Sequence, residues 1–250
     1  MKPFNPESQP AAPEQEHLPS HLKEGVPAIM ACVGTLEQFR QNPGPEKFAF
    51  KDKVWGISGV QDVNYYANPR DLERENFKNH GRDSYVISPI DNLDKLSKSF
   101  FNCTGVVVAG YDKTTGENIS FLSHEDPDYF LNRESNWNGF VSDLRERLAE
   151  LKEKCAEGTI DAAIVGGNYF HGTIRRDADY LESIRLLATE TEKVLGFEPI
   201  VITGPKVARG SEDVFYENKT RRLYISRPEI GNGSSESFKP SELGDQERKW

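Results

Sequence analysis

Short apolar runs and amphipathic stretches alternate along the chain, most clearly in its second half. Residues 104–110 (TGVVVAG) form an unbroken apolar run that predicts a buried strand. Residues 112–116 are turn chemistry and 118–123 predict a second strand, so the three together make a hairpin. Between 138 and 155, Phe140, Val141, Leu144, Leu148 and Leu151 recur at helical spacing, and Gly158 stands past the end as a stop. Residues 162–165 predict a buried strand, 180–195 an amphipathic helix stopped by Gly196, and 199–203 (PIVIT) the next strand. Residues 214–216 and 222–226 predict a closing hairpin. Upstream, 93–100 reads as a helix and 85–87 as a short strand, within an aromatic-rich stretch broken by turn residues. Between 26 and 46 only a helical turn around 36–41 is suggested. Hairpin, helix, strand, helix, strand, hairpin is an α/β order. It predicts a mixed sheet covered by helices, with parallel neighbours wherever a helix joins two strands.

The ends differ in kind. Residues 1–25 are rich in Pro, Glu and Gln and nearly without aliphatic side chains, which predicts a disordered arm. Residues 26–228 are expected as a single domain and 229–250 as a flexible tail. No window approaches the ~18–20 apolar residues that span a bilayer. The first residues show neither the basic nor the apolar region of a secretory leader, so no membrane and a cytoplasmic location are expected. Cys32, Cys103 and Cys155 are odd in number and lack metal spacing, which predicts reduced thiols. With 31 basic and 40 acidic residues the net charge is -9, which repels phosphate backbones and predicts no nucleic-acid partner. The pairs Arg175-Arg176 and Arg221-Arg222 read as solvated surface.

One pair of residues carries candidate chemistry. A turn centred between Lys113 and Thr114 places Cys103 directly opposite His124, on one face of the hairpin. A one-residue bulge at Gly116 would send His124 to the other face. A thiolate is the nucleophile, and an imidazole beside it can take the thiol proton and later deliver one to a departing amine. That supports attack on an amide or ester carbonyl through a covalent thioester. The peptide N–H groups of Thr104 and Gly105 are candidate oxyanion donors. The alternative is that Cys103 is a small buried hydrophobe beside a Val-rich strand.

The run FFNCTGVVVAGYDKTTGENISFLSHEDP, followed by a helix and then DAAIVGGNYF, resembles the CheD-type chemoreceptor glutamine deamidases. The cytotoxic necrotizing factor catalytic domain is a more distant likeness. The resemblance covers about residues 97–205. It implies an α/β sandwich, with Cys103 as nucleophile, His124 as base and Gly166-Gly167 as the family's glycine pair. The implied reaction converts a protein glutamine to glutamate with loss of ammonia, without metal or organic cofactor. The sequence departs from the family at Phe101-Asn102, where chemotaxis members tend to have Gly-Ser.

Two polar loops follow strands: 166–172 (GGNYFHG) and 203–206 (TGPK). With parallel strands both lie at one edge, where open α/β sheets bind ligands. Lys206, Arg175 and Arg176 could hold an anion there, or the loops are ordinary turns. Asn102 or Asn168 could orient His124 or stabilise an oxyanion. His171, Asp177 and Asp179 have ligand atoms but no metal spacing. Cys32 and Cys155 are bystanders, Cys155 partly exposed near a helix end, and Tyr180, Ile184 and Leu187 face the core. Two functions follow: a cofactor-independent cysteine amidohydrolase with a protein substrate, or a non-catalytic module holding an anionic ligand or protein partner at the Gly166-Gly167 and Gly204–Lys206 loops.

Overall fold

In chain order the strands are β1 (Met30–Thr35), β2 (Val60–Asp62), β3 (Tyr85–Ile87), β4 (Asp94–Phe100), β5 (Thr104–Tyr111), β6 (Asn118–Glu125), β7 (Asp161–Gly166), β8 (Ile200–Ile202), β9 (Glu212–Glu217) and β10 (Arg222–Arg227). The helices are α1 (Pro127–Phe130), α2 (Glu134–Lys154) and α3 (Ile174–Leu195). The structure is a computed structural model that describes residues 19–35, 39, 59–64, 76–79, 84–131, 134–167, 174–204 and 211–227, without the side chains of 130, 134 and 174–177.

The apolar run of β5 becomes the middle of a sheet because both its faces are covered. Val106 and Val108 enter one core; Val107 and Ala109 enter another. This central sheet has the order β3-β6-β5-β7-β8. Strands β7 and β8 are parallel, as a helix crossover between them predicts, and β5 runs antiparallel to both its neighbours. Helices α2 and α3 cover one face through Phe140, Leu144, Leu148, Tyr180, Ile184 and Leu187, all fully buried. Each large apolar side chain so removed from water contributes ~1.5–3 kcal/mol. Gly158 and Gly196 follow these helices at φ 70° and 90°, the left-handed geometry that a helix stop requires.

A second, outer sheet covers the other face, so the mixed sheet that the element order predicts is one layer of a two-sheet sandwich. Its order is β1-β10-β9-β4-β2. Strand β1 joins β10 in parallel, and β4 pairs with β9. Leu223, Ile225, Val214 and Tyr216 meet Val107, Leu122 and Val165 between the sheets. The helix expected over 93–100 is strand β4 instead. Lys95 and Ser97 are fully buried on one of its faces, and Leu96 joins a small apolar cluster on the other.

Other expectations are corrected too. Arg221 is not solvated surface: it is 1 % exposed and its guanidinium donates to the carbonyls of Thr159 and Ala109 at 3.0 and 3.1 Å. Cys155 is buried, because the missing side chain of Gly110 makes room for its sulfur. The end of the arm expected to be disordered is docked. There Lys23 N–H donates to Gly158 O at 2.8 Å, and His21 stacks on Phe197 while its Nε2 meets Asp161 Oδ1 at 3.1 Å. Residues 1–18 and the tail expected from 229 lie outside the described residues. Among the described residues no helix is long and apolar enough to cross a membrane.

Candidate active site

The hairpin turn decides where Cys103 and His124 meet. Asp112 Oδ1 accepts from the N–H groups of Thr114 and Thr115 at 2.7 and 2.8 Å, and Asp112 N–H donates to Glu117 O at 2.8 Å. Gly116 takes φ 72°. The loop is therefore 113–116, and the strands pair Thr104 with Glu125 and Val107 with Leu122. That is two residues on from the expected register, so Gly105, not Cys103, lies opposite His124. A shift of two keeps side chains on the same face. Cys103 and His124 are thus diagonal neighbours, a relation that spans ~7–8 Å between backbones. Both face the layer between the sheets, Cys103 3 % exposed and His124 fully buried.

The outer sheet holds the imidazole. Its ring stacks on Phe100 at 4.1 Å, and Nδ1 lies 2.8 Å from Ser97 Oγ. Ser97 and Phe100 are three apart and would face opposite ways in a regular strand. A bulge between them, with Ser99 at φ 63°, turns both toward His124. The Ser97 hydroxyl donates to Val63 O, so its proton is spent. Nδ1–H must then be the donor to Ser97 Oγ, which makes Nε2 the basic nitrogen. Burial pushes the imidazole pKa down to about 3, so His124 is neutral at ordinary pH.

The chain crosses from the outer to the central sheet at the corner 100–104. The glycine pair is brought directly against it. Gly167 N–H donates to Cys103 O at 2.9 Å, and Gly166 pairs with Thr104. A Cβ at Gly167 would lie 2.5 and 2.7 Å from the carbonyl oxygens of Phe100 and Phe101, and one at Gly166 would strike the Tyr180 hydroxyl. These glycines are needed for close packing of the corner. Tyr180 donates to Gly167 O at 3.1 Å and accepts from Gly204 N–H at 3.3 Å, so both glycine loops meet at one edge as β7 and β8 predict. Asn168, His171, Lys206 and the side chains of Arg175, Arg176 and Asp177 lie outside the described residues.

Thr104 and Gly105 sit inside a strand paired on both sides. The Thr104 hydroxyl donates to Glu125 Oε1 at 3.1 Å and touches Ser183 Oγ. Glu125 is fully buried on the helix side, and burial raises its pKa well above the usual carboxylate range. Asn102 is 7 % exposed. At the same end Arg227 Nε lies 3.0 Å from Glu212 Oε1, and Nη2 donates to Thr203 O at 2.7 Å, joining the sheets. Burial pushes Glu212 up to about 7. Among the described residues no group of three or more His, Cys, Asp or Glu gathers as a metal site.

Sequence reasoning missed Ser97, Glu125 and the Glu212–Arg227 pair. Ser97 was hidden by the helix expected over 93–100. The signal for Glu125 was the abrupt polarity of Ser123-His124-Glu125-Asp126 after an apolar strand. No protein-family model matches the chain, and no curated protein matches it in sequence.

Proposed function

We propose that this chain is a cofactor-independent cysteine amidohydrolase, and specifically a deamidase of protein-bound glutamine. The observation that carries the amide chemistry is the shared face of Cys103 and His124 at one end of adjacent strands, with Ser97 leaving Nε2 as the base. The glutamine substrate rests on the resemblance to CheD-type deamidases.

His124 is neutral at rest, so it works as a general base during attack rather than as a standing imidazolium. Cys103 Sγ adds to the carboxamide carbon as its proton moves to Nε2. The intermediate collapses, His124 protonates the nitrogen, ammonia leaves and a thioester remains. Water then attacks the thioester with its proton taken by His124, which releases the carboxylate and restores the thiol.

A second reading, a non-catalytic binding module using the edge at Gly167 and Gly204, is favoured by one observation. Cys103 and His124 are both sealed between the sheets, as core residues are. Alkylation of Cys103 against pH, followed by peptide mapping in the parent and in His124→Ala, separates the two. The amidohydrolase reading expects a loss of ~10²–10⁴-fold in the variant at pH 7, with Cys155 unaffected. Equal profiles in both proteins would leave the binding module as the better account. Ammonia release from glutamine-bearing proteins is the next assay.

A further inference from the structure

We infer that the side-chain amide of Asn102 donates a hydrogen bond to the substrate carbonyl oxygen as it gains charge, which makes Asn102 a catalytic residue. The inference rests on the Cys103–His124 reading above.

An acyl transfer at Cys103 needs a donor for the oxygen that becomes negative. Backbone N–H groups of Thr104 and Gly105 lie within β5, which pairs with β6 on one side and β7 on the other. Ladder amides lie in the plane of the sheet and point at neighbouring strands, not at a substrate above it. The Thr104 hydroxyl is engaged with Glu125 and Ser183 on the helix side. Asn102 differs from these. It is more than nine-tenths buried, it immediately precedes Cys103, and its Nδ2 has no hydrogen-bond partner among the described residues. A buried amide donor left without a partner is costly to the fold and calls for an explanation, of which a catalytic role is one.

The corner around it is fixed. Gly167 packs on the carbonyls of Phe100 and Phe101 and donates to Cys103 O, so residue 102 is held between two anchored neighbours. A carboxamide also suits the task chemically: it cannot ionise, so it does not compete with His124 for the thiol proton. As Sγ bonds to the carbonyl carbon, the π pair moves to oxygen and the thiol proton goes to Nε2. The negative oxygen then accepts from Nδ2–H until the pair returns and the leaving group departs.

The test compares two reactions of Cys103. p-Nitrophenyl acetate acetylates the thiol through a tetrahedral oxyanion and releases p-nitrophenolate. Iodoacetamide alkylates it by displacing iodide, with no oxyanion. In Asn102→Ala the acetylation rate should fall by about 10²-fold, with alkylation within about twofold of the parent. Asn102→Asp keeps the shape and should lose at least as much, since a carboxylate repels the oxyanion. Acetylation unchanged in both variants, or both reactions reduced alike while Cys155 stays protected, overturns the role. Should Asn102→Ala unfold and expose Cys155, Asn102→Asp decides alone. A parent protein whose Cys103 alkylation is indifferent to His124→Ala instead sinks the underlying reading, and that result needs no variant at residue 102.

Discussion

Cys103 and Cys155 are nearly equally hidden, 3 % and 6 % exposed, and stand at opposite ends of β5. At the far end Cys155 fills the space over Gly110 beside Asp112, with which it forms a bridge. Burial, and then the Asp112 charge, push its thiol up to about 12. A thiol so placed stays protonated and inert. At the near end Cys103 shares its face with an imidazole whose Nδ1 is committed to Ser97. Burial is common to both ends. What distinguishes Cys103 is an imidazole on the adjacent strand β6, whose tautomer is fixed by Ser97 of the other sheet.

Gly167→Ala should break that difference most. The added methyl meets two backbone carbonyls that cannot swing away, so unfolding free energy should fall by ~1–3 kcal/mol or more. Chemical denaturation measures the loss, and mapped alkylation should show Cys103 disturbed with Cys155 still protected. A variant as stable as the parent would mean that the corner is looser than its packing implies.

Next in size is a pH effect from Glu125. Its folded pKa is raised, so the unfolded carboxyl releases its proton first as pH rises. Stability therefore falls above about 4.5 until the folded group also ionises, with a limiting slope of ~1.4 kcal/mol per pH unit. Glu212, raised to about 7, adds to the decline below that pH, so Glu125→Gln should remove the part that continues above about pH 7. His124 acts in the opposite direction. Its folded pKa is depressed to about 3, so stability is full above about 6.5 and is lost as pH falls from there towards 3. Denaturation midpoints at pH 4, 6, 8 and 9 separate His124 from the raised carboxyls, and Glu125 from Glu212. A parent-like decline above pH 7 in Glu125→Gln, beyond the reach of Glu212, would assign the slope elsewhere.

Ser97→Ala is the smallest and most pointed change. It should cost ~1 kcal/mol of stability and free the imidazole to change tautomer, lowering Cys103 alkylation. Ser97→Thr keeps the hydroxyl and should recover most of the rate. If Thr rescues stability but not reactivity, the hydroxyl serves packing alone.

Much of the central sheet was legible because its physics is local. Strands β5 and β7 are continuous apolar runs, and α2 and α3 carry one apolar face each, ended by glycine. The outer sheet was not legible for two reasons. Leu93, Leu96 and Phe100 fall three and four apart, which imitates a helix. The strand that they actually form buries Lys95 and Ser97, a polar face that no hydrophobic pattern announces. Lys95 is tolerated there because its ammonium meets Asp91 and Leu93 O. The pairing of β1 with β10 joins distant parts of the chain, which only tertiary packing reveals. The candidate pair itself was half legible. Its face followed from the period of two, whereas its register depended on Asp112 capping a longer turn.

The long-range pairing in the outer sheet bears on how the protein is made. As the chain leaves the ribosome, the residues of β5 and β6 emerge well before β9 and β10. Contacts between such distant segments form late, because the intervening chain must first be closed into a loop. Strand β4, which carries Ser97, is paired on one side by β9 and so waits with it. The hairpin bearing Cys103 and His124 can thus form during synthesis without its orienting hydroxyl in place. On the amidohydrolase reading, Cys103 would be armed only at the last assembly step, once nearly the whole domain has emerged.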